Sequence, residues 1–180
     1  MAGVGHIAVG MAAARWRERR GVALPALASS MAGWALLSML PDADVLGFSF
    51  GIPYGSILGH RGISHSIAFA LVVAAAVALT MRRAGASVRR TGILAAAVVI
   101  SHGLLDTLTD GGHGVALFWP LSDYRFFAPW RPIPVSPIGF GLLTRYGVNV
   151  ALHELVLFAP LFAYAMWPRP RARHASVVTP

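Results

Sequence analysis

Cysteine is absent from this chain of 180 residues, and so is lysine, all fifteen basic residues being arginine. Without a thiol there is no disulfide, no thiolate nucleophile and no cysteine-type zinc site, so any metal must be held by His, Asp or Glu. Charge is scarce too, at 12% of residues, with only seven acids; ordinary soluble domains carry about 25%. Apolar residues take the place of charge: 56% are hydrophobic and the mean hydropathy is +0.63, which puts the chain in a membrane and excludes intrinsic disorder. The net charge of +8 and pI near 11.4 are those of a nucleic-acid binder. That reading needs arginines clustered on one folded face beside groups that stack on or read bases. Here they fall between long uncharged stretches, as in membrane loops, and no nucleic-acid partner is expected.

Five stretches read as bilayer helices, where a span needs about 20 largely apolar residues. They are Val4 to Ala14, Gly21 to Pro41, Gly62 to Met81, Thr91 to Leu108 and Val148 to Trp167. The first is short, and the third, with the run Ala68 to Leu79, is the clearest. The expectation is an all-α, polytopic bundle of about four to five transmembrane helices with a metal site at one membrane face. Residues 1–168 form one membrane-embedded domain, with a long outer loop over 109–146 and a short disordered cytoplasmic tail over 169–180. The loop is rich in Gly, Pro and aromatics, and a loop of that length is usually functional. No cleavable signal is visible, because Arg15, Arg17, Arg19 and Arg20 follow the first apolar run rather than precede it.

Placing Arg15 to Arg20, Arg82 to Arg90 and the tail on one side collects eleven of the fifteen arginines, which makes that side cytoplasmic. Alternation then gathers Asp42, Asp44, Asp106, Asp110, Asp123 and Glu154 on the outer side. His6, His60, His65, His102, His113 and His153 go with them. Carboxylates at bilayer depth are costly, about 2.5–3.5 kcal/mol each on insertion scales, and crowded ones repel. A bound divalent cation removes both penalties, and imidazole with carboxylate is a zinc-type ligand set.

Pro41 ends the second span and leaves Asp42 and Asp44 on a turn at its end. In His60-Arg61-Gly62-Ile63-Ser64-His65-Ser66, a loop entering the third helix, with Ser64 as its cap, can turn both imidazoles towards one ion. Arg61 between them suits an anionic oxygen. His102 and Asp106, four apart, share a helix face about 6 Å apart along the axis, and Asp110 continues that face if the helix runs one turn further. His153-Glu154 begins a zincin motif that Leu157 breaks, which leaves Glu154 as an inward-facing ligand or base. His113, His153 and His174 are read as incidental.

In this order His6, Pro41 to Asp44, His60 to Ser66, His102 to Gly112 and Phe127 to Ile133 resemble the bacterial membrane-bound metal-dependent hydrolases of the YdjM-like type. The resemblance implies a helical inner-membrane hydrolase, zinc-dependent, with His6, Asp42, Asp44, His60, His65, His102 and Asp106 as metal-site residues. More distantly, the order of His and Asp closed by Glu154 is similar to the zinc-dependent phospholipase C and nuclease P1 group, which implies a phosphoester substrate.

The chemistry expected is hydrolysis of an ester or phosphoester, with Asp110 or Asp44 as base and Arg61, Arg125 and Arg131 holding an anionic group. The aromatic loop meets a lipid or lipid-linked substrate at headgroup level. Two alternatives stand beside it. A non-catalytic scaffold would close a structural metal with four ligands, and a metal transporter would want its ligands near the midplane.

Overall fold

The computed structural model describes residues 3–18 and 22–168. The expected tail over 169–180, Arg19 and Arg20 lie outside the described residues. The described chain is helical, with no strand and two isolated bridges, Thr109 to Ile133 and Val115 to Phe126.

Helix α1 covers Val4–Arg17 and α2 covers Leu24–Met39, which continues directly into a 3-10 segment, Leu40–Phe50. Pro41 lies at the start of that tighter segment, where its missing N–H costs nothing. A short 3-10 turn, Ile63–His65, leads into α3, Ile67–Arg82, whose N-cap is Ser66, accepting from Phe69 N at 3.1 Å. The expected cap, Ser64, is used elsewhere. Helix α4 is Val88–Thr107, and after the long loop a 3-10 turn, Gly139–Leu143, precedes α5, Arg145–Leu157, and α6, Ala159–Met166.

Helix α1 lies against α2 and α6, α3 against α4, and α4 touches both α1 and α2. Small residues make these approaches close, as in membrane bundles, where lipid provides no hydrophobic push between helices. A Cβ on Gly10 would come within 2.6 Å of Ala35 Cα in α2. Ala70, Ala74 and Ala78 form a buried stripe on α3, and Ala78 meets α4 at Gly92. Trp34, Ala13, Ala14, Ala74, Ala95 and Val98 form the centre, while Leu24, Leu71, Val72, Leu79 and Ile93 point outward. Arg15, largely buried, donates to the carbonyl of Trp167 at the end of α6, where a cation suits the helix dipole.

Fewer helices are long and apolar enough to cross a bilayer than the four to five expected. Among the described residues two qualify, Leu24–Phe50 and Val88–Thr107, and α5 with α6 makes a third if the 61° bend between them lies within one span. The first expected span yields a helix of 14 residues, about 21 Å long. The third loses Gly62 to Ser66 to the turn that presents His65, which leaves 16 residues in α3. In the fifth, Pro160 cannot donate to Val156 and breaks the helix.

The loop after α4 is folded back over the ends of the helices. Asp110 N donates to Ile133 O, Ala128 N to Thr107 O, Ala116 N to Arg61 O, and Ile67 N to Leu117 O. Its own Val115, Ala116, Leu117 and Ile133 are buried.

Candidate metal centre

Four helix ends converge under this loop. His6 comes from the first turn of α1, Asp42 and Asp44 from the 3-10 segment after α2, His65 from the turn before α3, and His102 and Asp106 from the last turns of α4. Asp42, His65, His102 and Asp106 each offer one ligand atom to a common point, and Asp44, His60 and His65 form a second group that shares His65.

The tautomers follow from the neighbours. His102 Nδ1 lies 2.7 Å from the carbonyl of Ser38, which only accepts, so Nδ1 carries the proton and Nε2 presents its lone pair. The Ser38 hydroxyl donates to His6 O at 2.8 Å and ties α2 to α1 at the same level. Ser64 Oγ donates to Asp44 Oδ2 at 2.5 Å, and His65 Nδ1 lies 2.9 Å from that hydroxyl and 3.2 Å from the same carboxylate. His65 Nδ1 is therefore a donor, and its Nε2 turns inward. A carboxylate or carbonyl behind the imidazole is the usual support of a metal-ligating histidine.

The inward atoms are spaced as a metal requires. His102 Nε2 lies 3.2 Å from both Asp42 Oδ1 and His65 Nε2, and 3.9 Å from Asp106 Oδ2. His65 Nε2 lies 3.5 Å from Asp42 Oδ1 and 3.3 Å from Asp106 Oδ2. Ligands 2.0–2.1 Å from a tetrahedral ion would stand about 3.4 Å apart. Two imidazole nitrogens facing each other at 3.2 Å need a cation between them or a proton on one.

Charge asks for the same thing. Asp42, Asp44 and Asp106 crowd around His65, with Arg61 Nε 3.3 Å from Asp106 Oδ2, and a divalent ion would offset their mutual repulsion. Burial opposes charging of His65, but its bonds to Asp106, Asp42 and Asp44 outweigh this and hold its pKa up at about 10. In the metal-free protein a proton on His65 thus takes part of the cation's place. The donor set, its spacing and its charge all fit a divalent metal.

The remaining candidates sit around the cage. The His6 ring stacks on His102 at 3.6 Å, with Nε2 3.6 Å from Asp106 Oδ1, beside the ligands but in neither group. Glu154 is fully buried and accepts from Gly5 N at 3.2 Å, which fixes the start of α1 next to His6. His60 Nδ1 is 2.7 Å from Asp44 Oδ1, so Asp44 is shared by His60, Ser64 and His65. Asp110 does not continue the His102 face, because α4 ends at Thr107. It is exposed and accepts from Val135 N at 2.7 Å.

The arginines expected to hold an anion mostly hold the loop. Arg61 has a φ of 63°, is 1% exposed, and gives Nη1 to the carbonyls of Gly111 and His113. Arg125 donates to the carbonyls of Gly55, Ser56, His60, Arg61 and Gly114. Arg131 is exposed and lies over the Phe127 ring at 5.1 Å. His153 bonds Pro132 O, and His113 meets the Tyr54 ring. Neither the Ser38 carbonyl nor the clamping role of Arg125 is foreseen by the sequence; a carbonyl acceptor and a guanidinium that grips backbone leave no motif.

A cavity of about 800 Å³ opens beside the cage, bordered on its polar side by Asp42, Tyr54, His60 and Arg61.

The model of the YdjM inner membrane protein family matches residues 1–173. The chain belongs to that family. Among curated proteins, the inner membrane protein YbcI of Escherichia coli (strain K12) is 46% identical over 123 residues, 67% of this chain and 71% of its own. The name of that relative places it in the inner membrane and assigns no reaction. No solved structure matches this YdjM-family chain. The more distant similarity to phospholipase C and nuclease P1 finds no support among these matches.

Proposed function

We propose that this YdjM-family protein is a metal-dependent hydrolase of the inner membrane, acting on an ester or phosphoester at the periplasmic face. The observation that carries the reading is the convergence of His65 Nε2 and His102 Nε2 with Asp42 and Asp106 at ligand spacing, beside an open cavity. These four residues would hold the ion, and zinc suits their mixed N and O donors. When bound, such an ion supplies a Lewis acid for the scissile oxygen and an acidified water.

The protein's own groups do the rest. Asp44 and the Ser38 carbonyl orient the two imidazoles. His60 borders the cavity with Nδ1 committed to Asp44, so its Nε2 is the ring atom left to take a proton, and Asp44 acts through it. Arg61 holds Asp106 and the loop over the site, and it also borders the cavity.

Four protein ligands would also suit a structural metal, so it is the cavity beside Asp42, which a scaffold would not need, that favours hydrolysis. Purified protein is expected to carry stoichiometric zinc and to hydrolyse one member of a panel of carboxylic esters, phosphomonoesters and phosphodiesters. His65→Ala and Asp106→Ala should each lose metal and activity while remaining in the membrane. A loaded site with no turnover on any class favours the scaffold, and full metal in both variants overturns the site itself.

A further inference from the structure

The cavity beside the cage is amphipathic along its length. Its polar border is Asp42, Tyr54, His60 and Arg61, and the rest is mostly apolar, with Leu36 and Leu40 from the α2 side and Ile138 and Leu142 from the segment before α5. Leu36 precedes Asp42 by six residues on a continuous helical path, which sets it about 9 Å further along the α2 axis. That path belongs to one of the two helices that qualify as spans, so the polar-to-apolar direction of the cavity runs from the helix end towards the bilayer interior.

The exposed residues on and beside this lining are apolar as well. Leu36 is 73% exposed, and the 3-10 turn opposite carries Phe140 at 92% and Leu143 at 79%. A turn with two bare apolar side chains beside an open apolar wall is costly in water and suited to acyl chains. A soluble substrate would need none of this, since the groups of the site that meet the cavity, Asp42, His60 and Arg61, are all on the polar border.

We propose that this cleft is the tail channel of a leaflet lipid. An amphiphile seats its ester headgroup against Asp42, His60, Arg61 and Tyr54, and lays an acyl chain between Leu36 and Leu40 on one wall and Ile138 and Leu142 on the other. The Gly139–Leu143 turn dips into the leaflet and holds the mouth open to it. The headgroup chemistry rests on the hydrolase reading; the tail channel does not.

The test uses the full-length protein in vesicles of phosphatidylethanolamine and phosphatidylglycerol, with a trace of phosphatidylglycerol bearing a diazirine in mid-chain, and chelator present throughout. Photolabel is expected on both walls, within 36–40 and 138–142. Leu142→Trp and Leu36→Trp, which fill the channel from opposite sides, should each cut the label on the facing wall several-fold with zinc capacity unchanged. Label equal in wild type and variants, or confined to outward residues such as Leu71, Val72 and Leu79, overturns the proposal. Should both variants lose zinc capacity, competition decides. Lysophosphatidylglycerol should suppress the wall label and glycerol phosphate should not, and equal effects of the two overturn the channel. Wall label without hydrolysis by the zinc-loaded protein overturns the hydrolase reading and leaves the channel standing.

Discussion

A single imidazole links proton and metal in the proposed site. His65 is held by Asp42, Asp44 and Asp106, which raise its pKa from 6.5 to about 10 against the cost of burial. The raised value means that the charged ring stabilises the folded, metal-free protein fully below about pH 6.5, and that this contribution is lost as pH rises through about 10. Zinc needs the Nε2 lone pair, so loading must expel that proton. Zinc affinity should therefore rise about tenfold per pH unit from about pH 6.5 to 9, with roughly one proton released per ion. Calorimetric titration in buffers of different ionisation enthalpy checks both numbers, and an affinity flat over that interval excludes His65 as the exchanging group. Asp44 acts behind the ring, and Asp44→Asn should weaken zinc by about 10- to 100-fold while leaving the four direct ligands in place.

Residue types and their order are enough to make most of this cage legible. His60 to Ser66 and His102 to Asp106 both supply inward groups, and the pair Asp42 and Asp44 lies at the helix end, as Pro41 suggests. What the sequence hides is the division of labour within a motif. Nothing in Pro-Asp-Ala-Asp says that Asp42 faces the cage while Asp44 is taken up by His60 and Ser64. Nor does the spacing of Asp110 reveal that α4 stops first, because that depends on Gly111 and on the loop closing against Ile133.

Among the elements, the pairing of helices depends on how closely their backbones approach. At Gly10 an added Cβ would lie 2.6 Å from Ala35 Cα and 2.7 Å from Ala35 N, and neither is a flexible end that could turn aside. Gly10→Ala must push α1 off α2, which draws His6 away from Ser38 and His102 as well. A loss of about 1–3 kcal/mol is expected from such overpacking. It reads out as a lower midpoint of thermal unfolding in detergent, together with weaker zinc binding. Gly33→Ala on the neighbouring helix meets nothing within 4 Å and should change neither. Equal behaviour of the two variants would dismiss the close contact. Helix count is harder to read from hydropathy than these contacts are from the structure. The apolar runs are visible in the sequence, but the turn at Gly62 to Ser66 and the break at Pro160 consume residues that composition alone assigns to spans.

For the whole molecule, the proposed orientation rests on where the two helical hairpins point. The last turn of α1 holds Arg15 and Arg17, and Arg82, Arg83, Arg89 and Arg90 lie at the end of α3, just after it and at the start of α4, whereas the metal cage is built from the opposite ends of those helices and of α2. This separation stands even though α1 and α3 are too short to qualify as spans by themselves, because a short helix paired with a longer one still returns the chain to the same side. Arginine is retained in the cytoplasm, which supports assigning both connections to that side and the cage to the periplasmic face. Reporter fusions at Ala86 should therefore signal cytoplasm and at Ser122, in the loop over the cage, periplasm. Replacing Arg82, Arg83, Arg89 and Arg90 together by Gln should weaken that preference and produce mixed signals at Ser122, since those residues carry much of the bias. A cytoplasmic Ser122 in the unaltered protein would reverse the orientation and put the proposed hydrolytic site on the inner leaflet, where the substrates to test would be different ones.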